Sequence, residues 1–111
     1  MTSQQAQQLL MQAQAYQQQI QNIVTQKETL KLQEMEIKKA LEELEKTQEK
    51  NVYKISGPIL VKTTKEEVTR DLKDKQELIE ARIKTLEKNE QKVKEKIDEL
   101  REKLMQAPSG G

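Results

Sequence analysis

The sequence predicts a mainly α-helical fold: an antiparallel two-helix coiled-coil hairpin with one β-hairpin at the connecting end. Three observations lead to it. Apolar residues recur at alternating steps of four and three along two long stretches of the chain. Proline and glycine interrupt only at Gly57-Pro58 and from Pro108 to Gly111, and the residues around the central break are β-branched and aliphatic where a loop would be polar. The composition agrees, since only 33% of the 111 residues are apolar against 35% charged, too few for a single globular core.

In the first arm, expected as a helix over residues 1–49, the steps pass through Leu9, Ala13, Tyr16, Ile20, Ile23, Lys27, Leu30, Glu34, Ile37, Leu41 and Leu44. In the second, expected over 65–106, they pass through Leu72, Gln76, Ile79, Ile83, Leu86, Glu90, Val93, Ile97, Leu100 and Leu104. Both are heptad seams with charged flanks, the pattern of a coiled coil. The seams match in length, and in an antiparallel pairing the residue numbers of facing partners should add to one constant. Leu9 with Leu104, Tyr16 with Ile97, Leu30 with Ile83 and Leu41 with Leu72 obey this, and the implied fold-back falls between Ser56 and Gly57. The same register sets each of the polar seam residues Lys27, Glu34, Gln76 and Glu90 against an apolar one, from which its long stem is expected to snorkel outward. Thr2 to Gln5 and Thr64 to Glu67 read as capping boxes. Acid-before-base pairs four apart, such as Glu42/Lys46 and Glu80/Lys84, support the helices by a few tenths of a kcal/mol each.

The connecting segment, expected as a β-hairpin over 52–63, carries Val52, Tyr53, Ile55, Ile59, Leu60 and Val61 around Gly57-Pro58. A lone two-stranded hairpin is marginal in water, and apolar side chains on both of its faces need cover. The coiled coil spends its seam on its own arms. Another chain is therefore expected to cover the hairpin, making these six residues the oligomerisation element. A flexible tail is expected at 107–111.

Cysteine and histidine are both absent, which removes disulfides, thiol nucleophiles, zinc sites and every histidine-dependent triad. The three glycines form no phosphate-binding loop. No enzyme activity, metal or cofactor is expected. A formal net charge of +1 is far from the cationic balance of a nucleic-acid binder, and an RNA-binding arm is disfavoured further because basic and acidic side chains balance between Lys65 and Lys103. No apolar run is long enough to cross a membrane, and the opening residues lack the basic-then-apolar pattern of a secretory signal, so a cytoplasmic location is expected. Lys and Glu outnumber Arg and Asp, a bias shared by hyperthermophile proteins and by long surface helices of any origin.

The free ends of the arms differ from the rest. The first 26 residues contain no charged side chain and eleven glutamines, with Leu9, Leu10 and Met11 among them. In the antiparallel register they lie beside Leu100, Leu104 and Met105. Leu10 is off the seam, so the apolar face there is wider than a two-stranded seam requires. A neutral, methionine-containing apolar end can adapt to many partners, whereas a frayed, glutamine-rich coiled-coil end would need none.

Two coiled-coil arms joined by one β-hairpin resemble the β class of the prefoldin family over nearly the whole chain. The hairpin stretch from Val52-Tyr53-Lys54 through Gly57 and Leu60-Val61-Lys62 to Lys65-Glu66 is similar to the family pattern V-Y-K-x-x-G-x-x-L-V-K-x-x-K-E, and the Tyr16-Gln17-Gln18-Gln19 opening is typical of archaeal members. Pro58 departs from it, because a residue with an amide hydrogen is more usual there. The resemblance implies a heterohexamer of two α-class and four β-class subunits, with hairpins closed into β-barrels and arms hanging as tentacles around a cavity. It implies capture of unfolded polypeptides at the tentacle tips without ATP, and delivery to a group II chaperonin. Client contact would then fall to Leu9, Leu10, Met11, Leu100, Leu104 and Met105. The competing expectation is a purely structural coiled-coil spacer that binds no client.

Overall fold

A computed structural model describes residues 2–106. The tail expected at 107–111 lies outside the described residues. The chain runs α1 (Ser3–Lys46), β1 (Asn51–Ser56), β2 (Ile59–Thr64) and α2 (Lys65–Gln106). Two helices of 44 and 42 residues flank one antiparallel two-stranded sheet, as the heptads and the central break imply.

The helix starts follow from local chemistry. Thr2 N donates to Gln5 Oε1 at 2.9 Å while Gln5 N donates to Thr2 Oγ1 at 3.1 Å, a reciprocal box that satisfies two amides at the start of α1. At α2 only one half of the box forms. Glu67 N donates to Thr64 Oγ1, but the Glu67 carboxylate accepts from Thr63 Oγ1 at 3.0 Å.

The end of α1 corrects the expected boundary: the helix stops at Lys46 rather than at residue 49. Thr47 Oγ1 accepts from Glu49 N, which offers the backbone an alternative to a further helical turn. The Lys65 ammonium donates to Thr47 O at 2.9 Å and Lys65 N donates to Lys50 O at 2.8 Å, tying residues 47–50 to the start of α2. The strands are one residue longer at each outer end than expected, with Asn51 paired to Thr64.

The turn resolves the departure at Pro58. The register runs to Ser56↔Ile59, so Gly57 and Pro58 form a two-residue loop. Gly57 has φ +58°, and Pro58 follows with its ring-fixed negative φ, the order of signs in a type II′ turn. In such a loop the second residue donates nothing to the ladder. The missing amide hydrogen of Pro58 therefore removes no strand hydrogen bond.

The chain divides into two compact units. Thr29–Ile83 forms one and contains the β-hairpin; the described residues up to Glu28, with those from Lys84 onward, form the other. In the hairpin unit Ile37, Ile79 and Ile83 are buried, with Leu30, Leu41 and Leu72 packed against them. These six residues come from both helices and all lie on the expected seams. In the second unit Leu86, Val93, Ile97 and Leu100 are buried, and Lys96 lies over the Tyr16 ring at 5.7 Å from its centroid. Every expected seam position is buried or half-buried, polar ones included.

One seam expectation is corrected. Lys27 and Glu90 do not each stretch to solvent beside an apolar partner. Lys27 Nζ donates to Glu90 Oε1 at 2.9 Å, with side chains only 16% and 14% exposed. They occupy adjacent layers of the expected register and meet diagonally. Two largely desolvated charges in neighbouring layers gain more from each other than from reaching for water.

Candidate functional site

Exposed apolar groups stand on the two surfaces expected from the sequence, and on some outer helix positions besides. The first is the hairpin. Strand alternation and the register put Tyr53, Ile55 and Leu60 on one face, with Ile55 directly opposite Leu60. Ile55 is 80% exposed and Leu60 68%, and Tyr53 is also exposed. Val52, Ile59 and Val61 share the other face; Val52 and Val61 are half-buried there, whereas Ile59 is exposed. Among the described residues, the backbone edges of β1 and β2 have no further strand beside them.

The second surface lies at the free ends of α1 and α2, within one compact unit. Six residues were expected to act there, and they fall into two groups. Leu10, Met11 and Met105 are 52%, 68% and 84% exposed. Leu100 is 6% exposed, and Leu9 and Leu104 are half-buried. Leu100 belongs to the seam: it supports the surface and is not open to a partner. Burial separates the groups by heptad position, since Leu9, Leu100 and Leu104 are at a or d whereas Leu10, Met11 and Met105 are off the seam.

The Lys65 clasp onto Thr47 O escaped sequence reasoning, because no local pattern signals a lysine that caps a helix 18 residues earlier. Leu32, Met35 and Leu78 also stand exposed on outer helix faces in the hairpin unit, at positions that a search for seams passes over. Among the described residues no group of three His, Cys, Asp or Glu side chains is placed to hold a metal ion, and no helix is long and apolar enough to cross a membrane.

The model of the family described as "Prefoldin subunit" matches residues 7–110. The chain belongs to the prefoldin subunit family. Prefoldin subunits are chaperone components, and the similarities here are to archaeal β subunits. The chain is 45% identical to prefoldin subunit beta of Pyrococcus furiosus over 93% of its own length and 89% of that protein's. It is 43% identical to that of Archaeoglobus fulgidus over 90% of its own length and 87% of that chain. Among solved structures, the prefoldin beta subunit from Thermococcus strain KS-1 superposes with a TM-score of 0.83 at 41% identity, covering 94% of this chain and 95% of that one. The prefoldin beta2 subunit of the same strain shares the fold, with a TM-score of 0.72 at 23% identity. Two long helices joined by a β-hairpin are thus the architecture of a solved prefoldin beta subunit as well as of this chain.

Proposed function

We propose that the chain is one subunit of an ATP-independent holdase that captures unfolded polypeptides at the free ends of its helices and delivers them to a group II chaperonin in the cytoplasm. The observation that carries this reading is the exposure of Leu10, Met11 and Met105 in one unit of a chain whose other apolar helix residues are mostly spent on the seam. Unfolded clients expose scattered apolar groups, and flexible methionine and leucine side chains outside the packing can meet many of them. No catalytic residue or cofactor has a part in this.

Assembly falls to the hairpin. The exposed face of Tyr53, Ile55 and Leu60, with Ile59 and the flanking Val52 and Val61, supports pairing with hairpins of an α-class subunit and of further β-class copies. The name "subunit" carried by the relatives fits this. A hexamer of two α-class and four β-class chains is the proposed assembly. A purely structural spacer would have the same seams but no use for the exposed end residues.

Aggregation of a chemically unfolded globular protein, followed by light scattering in the presence of the assembled complex, tests the reading. Wild-type complex should suppress aggregation at low and at high salt, because an apolar grip is not screened. A complex carrying Leu10→Ser, Met11→Ser and Met105→Ser should assemble normally and lose most of that suppression. Full suppression by this variant would move the capture site elsewhere.

A further inference from the structure

Two open grooves lie on one flank of the unit that holds the free helix ends. The first, of about 400 Å³, is lined by Gln5, Gln8, Leu9, Gln12 and Lys103. The second, of about 370 Å³, is lined on the α1 side by Gln19, Asn22 and Ile23, with Asn89 and Lys92 among the residues opposite. The two are one motif repeated. Gln5, Gln8 and Leu9 recur two heptads on as Gln19, Asn22 and Ile23, and each groove has a seam d residue as its floor with c and g carboxamides as its wall. Leu10 and Met105 occupy e and b positions on the opposite flank, so the carboxamide wall is distinct from the exposed apolar residues.

The lining chemistry is narrow. Neither groove contains a carboxylate, and the charged residues on the two are Lys103, Lys92 and Lys96. The side chains of Gln8, Gln12 and Gln19 are exposed and hydrogen-bond to no other described side chain, while Gln5 and Asn22 each use a carboxamide oxygen locally and keep their amide hydrogens. A carboxamide offers one acceptor and two donors without charge, which matches the peptide group itself. The repeat spacing corresponds to about 21 Å along the helix, the span of about six residues of extended chain.

We infer that this flank binds the main chain of an extended unfolded segment, the carboxamides of Gln8, Gln12 and Gln19 pairing with its peptide groups while its side chains rest on Leu9 and Ile23. The inference builds on the client-capture reading and adds to it a sequence-independent grip. Every unfolded polypeptide offers peptide groups whatever its side chains, so a wall of carboxamides selects for lack of structure rather than for sequence.

The test uses the full chain in its assembled complex and two fluorescent, end-capped peptides of alternating leucine and serine, one with every second backbone amide N-methylated. Wild-type complex should bind the unmethylated peptide more tightly by about fivefold, the scale of one or two net hydrogen bonds. The Gln8→Ala, Gln12→Ala, Gln19→Ala variant should lose that preference; alanine at exposed helix positions favours the helix, which circular dichroism would verify. The Leu10→Ser, Met11→Ser, Met105→Ser variant should weaken both peptides and keep their ratio. A preference that survives in the alanine variant, or its absence in wild type while both peptides bind, overturns the inference alone. Binding of neither peptide by wild type overturns client capture with it. Binding restricted to an aspartate-containing peptide at low salt would overturn the main-chain grip and assign the flank to acidic segments held by the lysines.

Discussion

Lys27 and Glu90 form an ion pair inside the seam, with Nζ and Oε1 2.9 Å apart and both side chains about five-sixths covered. Each is the polar member of an otherwise apolar layer, and the layers are neighbours. Moving either helix by one heptad would strip each charge of its partner and leave it against an apolar side chain. The pair therefore specifies register, as a buried polar group does in other coiled coils.

Removing one partner should cost more than removing both. Glu90→Leu alone leaves the Lys27 ammonium partly desolvated, and is expected to destabilise the chain by about 1–2 kcal/mol. Lys27→Leu with Glu90→Leu should regain that loss or exceed wild type. Thermal unfolding followed at 222 nm checks both, and equal midpoints for wild type and the single variant would show that the pair does not bear on stability.

Leu100 and Met105 lie five residues apart and should respond oppositely to truncation. Leu100 is buried, so Leu100→Ala is expected to lower stability by about 2–3 kcal/mol. Met105 is 84% exposed, and Met105→Ala should leave the unfolding midpoint unchanged while weakening suppression of client aggregation. Calorimetry paired with the light-scattering assay separates the two, and a matching stability loss for Met105→Ala would place it in the packing.

Placing aspartate at Ile55 and Leu60 sets two carboxylates directly opposite each other on the exposed hairpin face. If neighbouring chains cover that face, uncompensated charge there is very costly. Sedimentation should show the complex dissociated while helix content is retained, because the helices pack through the seams. An intact hexamer would relocate the interface.

Gly57 turns the hairpin at φ +58°, and an added Cβ would meet nothing within 4 Å. Any penalty from Gly57→Ala is therefore conformational and not steric, expected at about 1 kcal/mol or more. Amide hydrogen exchange in β1 and β2 should quicken about fivefold or more for such a change. Unaltered exchange would mean that the turn carries no such strain.

The two helices, their seams and the hairpin were readable because each rests on local or periodic chemistry: heptads, a reciprocal cap at Thr2 and Gln5, and a single Gly-Pro break between β-branched runs. A fold of two helices and one hairpin has few long-range choices, so period and punctuation nearly determine it. Three things waited for the tertiary structure. The pairing of Lys27 with Glu90 depends on which diagonal neighbours come within reach across two helices, and one-dimensional register assigned each a partner in its own layer instead. The stop at Lys46 is joined by a clasp from Lys65 onto Thr47 O, remote in sequence and adjacent only once the hairpin has folded back. Finally, the six residues expected at the free ends were grouped as one apolar surface although the heptads already set Leu9, Leu100 and Leu104 on the seams; the folded helices showed how fully each is covered, with Leu100 closed in the packing and Leu10, Met11 and Met105 left in water, because burial in a coiled coil is set by angle around the helix.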